Sequence, residues 1–147
     1  MASVLLLDDD LGFMVALSLE LRKLSIDAIP ARSALEAELL VDALQLELNV
    51  LVVNWECPGA QSIAQQLQGR MGTLPVISIQ REGRRLPRSA GPVMARLCNP
   101  GDRRPERIAY CAEIIESAVY GVPAQSHSSI RGLAPRPAFA PCPKPVN

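Results

Sequence analysis

The sequence is poor in the residues that most often carry chemistry or stacking. It has one histidine, one tryptophan, two tyrosines and two phenylalanines in 147 residues. With aromatics at 3%, the core must be built mostly from Leu, Val, Ile and Ala. The lone His127 has no Cys or His nearby to complete a metal site, and no Ser-His or Cys-His pair can be assembled for nucleophilic catalysis. Neither a G-x-G-x-x-G after the first apolar run nor a P-loop is present. Cys57, Cys98, Cys111 and Cys142 lie far apart without a C-x-x-C pair, which suits reduced thiols of a cytosolic protein rather than a disulfide or zinc framework. Nothing beside Cys142 would activate its thiolate. No apolar run approaches the ~18 residues that span a bilayer. The start, MASVLLLDDD, runs from apolar residues straight into acids, so no signal peptide and a cytoplasmic location are expected.

The length fits one domain with a real core, and a hydrophobic content of 48% supports a soluble globular chain. We expect that domain over residues 1–121. The tail, 122–147, holds six prolines and few packable residues, and is expected to be disordered or a docking segment. Net charge is zero but uneven. Residues 1–80 carry 4 Lys/Arg against 10 Asp/Glu, whereas residues 81–107 carry 8 Arg against 3 Asp/Glu. Such polarity can orient a charged partner over roughly a Debye length, about 8–10 Å.

Short apolar runs alternate with segments of helical period. Strands are expected at Ser3–Leu7, Ile26–Pro30, Val50–Val53, Pro75–Ile79 and Val93–Leu97. Residues 10–24 place Phe13, Leu17, Leu21 and Leu24 on one helical stripe. Ser33 and Glu36 have the spacing of a capping box, followed by Leu35, Leu39, Ala43 and Leu46. A short helix over 60–69 carries Ile63 and Leu67. Pro87 limits any helix between strands four and five. The clearest helix starts at Pro105, buries Ile108, Cys111, Ala112, Ile115 and Val119, and stops at Gly121 and Pro123. Five β units alternating with α units imply an α/β fold, a parallel sheet with helices on both faces. The site of such a sheet lies beyond the carboxyl ends of its strands. The positions to examine are therefore Asp8, Asp9, Asp10, Asn54, Gln80 and Asn99.

These residues resemble a known family, the receiver domain of two-component response regulators, over roughly residues 3–120. VLLLDDD is similar to the family's first strand and acidic pair, and VLVVNWECPG to its third strand, phospho-acceptor and Pro-Gly turn. LPVISIQ and MARLCNP resemble its fourth strand and its fifth strand with Lys-Pro. The resemblance implies a flavodoxin-like (βα)5, doubly wound, five-stranded parallel sheet of order 2-1-3-4-5. It also implies a chemistry: paired acids bind Mg²⁺, an Asp accepts a phosphoryl group, and Thr or Ser and Lys hold its oxygens. Matched position by position, the acids persist as Asp8 and Asp9. The acceptor is Asn54, the hydroxyl position Gln80, the Lys position Asn99, and the aromatic switch position Arg96.

A carboxamide is a far poorer nucleophile than a carboxylate, so Asn54 forms no acyl phosphate in the ordinary way. Losing one acid and one lysine offsets in charge, and the Asn54 amide can donate to Asp8 or Asp9 without metal. The expectation is a stand-alone pseudo-receiver in phosphorelay signalling, not an enzyme, needing no cofactor and acting by protein-protein interaction. Its partner would be a sensor kinase or another signalling protein. The basic stretch would meet it through Arg81, Arg84, Arg85, Arg88 and Arg96, on the face the family builds from helix four, strand five and helix five. A homodimer is open on the same face. Nucleic acid and membrane are not expected as partners, since the chain has no net basic charge and no recognised motif. Three alternatives stay open. Asp8 and Asp9 retain residual divalent binding or serve only as caps, with Glu56 as a substitute ligand. The fold holds a nucleotide, flavin or other small ligand. A different acid, Glu56 or Asp10, takes the phosphoryl group. Trp55 would lie at the rim of the site or pack in the core.

Overall fold

The computed structural model describes residues 1–85 and 93–121. The expected tail over 122–147, with His127 and Cys142, and the residues Pro87 and Arg88 lie outside that range. Five strands form one sheet: β1 (Ala2–Leu7), β2 (Ile26–Ala31), β3 (Val50–Asn54), β4 (Val76–Arg81) and β5 (Ala95–Asn99). All neighbours pair in parallel, in the order β2-β1-β3-β4-β5. The helices among the described residues are α1 (Leu11–Lys23), α2 (Ala34–Leu44), α3 (Ala60–Met71) and α4 (Pro105–Tyr120). Any helix between β4 and β5, which Pro87 was expected to limit, falls outside the described residues. None of the described helices is long and apolar enough to cross a membrane.

The sheet sits between two helical layers, and the two-residue period of the strands decides which side chain meets which layer. Val4, Leu6, Val50, Val52, Ile77 and Ile79 pack with Phe13, Leu17, Ile108 and Ile115 from α1 and α4. Leu5, Leu7, Leu51, Val53 and Val76 pack with Val41, Ile63 and Leu67 from α2 and α3. Val4–Leu7 and Val50–Val53 are wholly buried because β1 and β3 are central strands covered on both faces. Each large side chain buried this way contributes about 1.5–3 kcal/mol, so the core holds the fold independently of the polar site. Edge strands are more permissive: β2 carries Pro30, and β5 exposes Arg96 between buried Ala95 and Leu97.

Three local expectations are corrected. The stripe Leu35, Leu39, Ala43, Leu46 does not form the packed face of α2, for Leu35 and Leu39 are exposed and Ala37 and Val41 are buried. Apolar residues surround this helix, so periodicity alone does not select a face. The capping box is half as expected. Ser33 Oγ accepts from Glu36 N–H at 3.1 Å, but the Glu36 carboxylate reaches Arg32 N–H, one residue before the cap. Strand five begins two residues later than expected, at Ala95, and runs to Asn99. Its register is set by pairing with β4, where Ile77 faces Ala95 and Arg81 faces Asn99. Gly59 is the N-cap of α3 at φ +79, where a Cβ would also press on Ala34, so the Pro-Gly turn after β3 needs its glycine.

Candidate functional site

The carboxyl ends of β1, β3, β4 and β5 bring together residues far apart in sequence. Asp8 leaves β1 fully buried, beside Asn54, the last residue of β3, which is 2% exposed. Asn54 Nδ2 donates to Asp8 Oδ1 at 3.0 Å, and Asp10 N–H donates to the same oxygen at 3.3 Å. Asp8 Oδ2 has no partner. The other end of the amide is also used, since Asn54 Oδ1 accepts from Glu56 N–H at 3.0 Å. Asn54 is thus fixed in orientation from both sides, and its donor end faces the acid.

Asp10 caps α1. Its Oδ1 accepts from Phe13 N–H at 3.1 Å and from Arg103 Nη2 at 2.9 Å, and its Oδ2 from Asn99 Nδ2 at 3.0 Å. Asn99, at the position matching the family's lysine, therefore serves the helix cap. Gly12 leaves the room Arg103 needs, as a Cβ there would strike the guanidinium. Asp9 is held by Arg81 through a direct ion pair, and Glu56 by Arg84 at 3.5 Å. Three arginines from the basic stretch are thus folded over the acids they follow in sequence. Arg107 and Arg104 are paired as well, with Glu82 and Asp102.

Burial pushes the Asp8 carboxyl up, against the lowering effect of the Asn54 hydrogen bond. Burial acts the same way on Asp9, but the hydrogen bond and charge of Arg81 outweigh it and hold that acid low. For Asp10, burial is again overcome, by Asn99, the Phe13 N–H and Arg103. Asp10 therefore stabilises the fold above the ordinary carboxylate pKa, and that contribution fades as acid titrates it. Asp8 acts oppositely, costing stability as pH rises past the ordinary value. Burial, then the charges of Asp8 and Asp9, push the Cys57 thiol up to about 11, and burial pushes Cys111 to about 12, so both are inert thiols at neutral pH.

The resemblance to receiver domains implies Mg²⁺ at these acids, and the donor set does not fit it. Mg²⁺ asks for near-octahedral oxygen ligands. Here Asp8 Oδ1 and Asn54 are committed to each other, Asp9 is paired with a guanidinium through one oxygen, and Asp8 Oδ2 is a buried oxygen without a partner. Among the described residues no group of three His, Cys, Asp or Glu is arranged to hold a metal ion.

Of the other positions, Gln80 donates to the Arg84 backbone carbonyl and so ties down the turn after β4. Arg96 is exposed on β5, away from the pocket floor. The sequence reading gave Arg81 and Arg84 to a partner surface, whereas both are engaged with acids of the site. Trp55 is 7% exposed and packs in the α2–α3 core, the second of the two places open to it, and not at the rim. Its Nε1 donates to Ser78 Oγ at 2.6 Å. That pair was not anticipated. A serine inside the apolar run VISI was its signal, because a buried hydroxyl in a central strand must find a partner.

A five-stranded parallel sheet of this order, with the acidic pair after β1 and the pocket at its carboxyl edge, is the fold of a response-regulator receiver domain. The chain is similar to a receiver domain protein of Clostridium thermocellum at TM-score 0.58 and 13% identity, over 88% of this chain and 98% of that one. It is similar to a response regulator described as putative, from Chloroflexus aurantiacus, at TM-score 0.60 and 20% identity, over 79% and 98%. The response regulator TrrA of Thermotoga maritima, solved in complex with the histidine kinase ThkA, matches at TM-score 0.54 and 18% identity, over 74% and 96%. At these identities the likeness is one of fold. No family model matches the sequence, and no curated protein does.

Proposed function

We propose that this domain is a degenerate receiver in two-component signalling that acts by contact and not by phosphoryl transfer. The observation that carries this reading is Asn54, which ends the central strand with its amide donor on Asp8 where a receiver presents a nucleophilic carboxylate. Phosphoryl transfer also needs charge stabilisation at the developing oxyanions, and Gln80 and Asn99 supply neither hydroxyl nor ammonium. Glu56 and Asp10, the other acids nearby, are tied to Arg84 and to Arg103 with Asn99. A small-ligand reading gains no support. The cleft of about 440 Å³ beside the site is lined, among the described residues, by Asp9, Asp10, Arg81, Glu82, Asn99, Gly101 and Arg103, without an apolar wall for a flavin or base.

A protein partner, such as the histidine kinase that TrrA binds, suits a receiver fold that no longer carries phosphate. The part of the basic stretch available to it is narrower than the composition suggests. Arg85 and Arg96 are the arginines there without an acidic partner among the described residues; Arg88 lies outside them. Incubation with acetyl phosphate and Mg²⁺ should leave the intact mass unchanged, and a phosphate on any Asp or Glu overturns the reading. Charge reversal at Arg85 and Arg96 should abolish capture of a specific partner from the native cell, with the helical circular dichroism intact. A partner retained undiminished by the reversed protein places the contact on another face.

A further inference from the structure

The pocket supplies its own cation. Arg81 is the last residue of β4, and its guanidinium is bonded to Asp9, 72 residues earlier. Arg103 reaches Asp10 over 93 residues and Arg84 reaches Glu56 over 28. These are tertiary contacts at one place, the acidic ends of β1 and β3, and not neighbours paired along a helix. Beneath them Asp8 is fully buried with Oδ2 unpartnered, an acid with room for one more interaction.

We infer that the Arg81 guanidinium occupies the place of the divalent cation at the acidic pair and bars that cation from it. Three carboxylates with a doubly charged ion leave the same net charge as two carboxylates with one guanidinium. With Asn54 in place of the third acid, a singly charged group is the better match. Unlike a bound ion, guanidinium stays charged at any physiological pH and has no free concentration to fall. The pocket is therefore held in one electrostatic state whatever the cellular magnesium. A divalent ion entering it would meet a positive charge within a few ångströms and would have to displace Arg81 from Asp9. The inference rests on this geometry and not on the signalling route proposed above, so it stands or falls separately from the mass experiment.

The test is Arg81→Gln in the full chain, which removes the charge and keeps a polar side chain of similar reach. Arg104→Gln, an exposed arginine paired with Asp102, is the control for a loss of one positive charge. Binding of Mn²⁺ and Mg²⁺ is read from the fluorescence of Trp55, the sole tryptophan, one residue from Asn54, and by calorimetry. Wild type and Arg104→Gln should show no saturable binding up to about 10 mM metal. Arg81→Gln should bind about tenfold more tightly or better, since one unit charge beside a divalent ion is removed. Arg81→Met is the second variant should the first unfold, each checked by circular dichroism. Equal affinity in wild type and Arg81→Gln, or no binding by any folded Arg81 variant, overturns the inference.

Discussion

Replacing Asn54 with aspartate should destabilise this protein by about 2–4 kcal/mol at pH 7, although it restores the residue a working receiver needs. The Asn54 amide donates to Asp8 Oδ1 at 3.0 Å, in a place where the two residues are 2% and 0% exposed. Asn54→Asp removes that donor and sets a second carboxylate against a buried first one. One of the pair will take up a proton rather than bear the full repulsion, which limits the cost. For a domain of this size the melting temperature should fall by roughly 10 °C. The sign of the pH dependence follows from linkage. The new carboxyl has a folded pKa raised above its unfolded value, so the folded state holds the extra proton. The deficit is small below about pH 4, grows as pH rises towards the folded pKa, and levels off above it. Millimolar Mg²⁺ should not restore the loss while Arg81 holds Asp9. Equilibrium urea unfolding at several pH values checks this; a variant as stable as wild type at pH 7, or one that gains on wild type as pH rises, contradicts it.

The sheet was legible because its central strands are nearly unbroken apolar runs. VLLL and VLVV must be covered on both faces, and that requirement alone implies helices above and below. Legibility failed where composition is ambiguous or where partners are remote. In α2, apolar residues fall all round the helix, so which side packs is settled by small Ala37 fitting against the strands and not by the larger Leu35 and Leu39. For β5, the apolar run starting at Val93 overstates how early pairing begins. Asn54 and Asp8 could be paired from kinship of position. The Trp55–Ser78 bond could only be suspected, because each residue has several plausible neighbours until the register of β3 against β4 is known.

Charge was the less legible feature. Counted in blocks, the sequence has an acidic first half and a basic segment, and a basic segment invites an external acidic partner. The fold turns the segment back on the first half. Arg81, Arg84 and Arg103 meet Asp9, Glu56 and Asp10 at the top of the sheet. These pairs are partly exposed, and each is worth little to stability, on the order of 0–1 kcal/mol. What they change is the unpaired charge: the block of arginines counts as strongly basic in composition, yet three of its members meet acids of the site. Block composition does not record this, since ion pairs form over 28 to 93 residues of separation.

Exchanging the two buried groups separates the hydrogen bond from the position that carries it. In the double variant Asp8→Asn with Asn54→Asp, the amide lies at position 8 and the carboxylate at position 54. The new amide can donate to the new acid, which still accepts from Glu56 N–H. Because one oxygen of Asp8 takes both native bonds, an N–H₂ turned towards position 54 leaves the Asp10 N–H without that acceptor. The bond between the two residues keeps a counterpart with donor and acceptor reversed, and the bond from Glu56 N–H is kept, at the cost of the 3.3 Å bond from Asp10 N–H. The double variant should therefore recover to about 1 kcal/mol below wild type, a coupling of roughly 1–4 kcal/mol between the sites. Asp8→Asn alone should change stability by about 1 kcal/mol or less, because it removes the cost of a buried charge and the unpartnered Oδ2 but puts an unpaired N–H₂ in its place. If the double variant is as weak as the two single changes added together, the Asn54–Asp8 bond is not what holds the end of β3, and the shape of the site has another source. If it recovers, one acid with one amide is the stable arrangement of this pocket in either order.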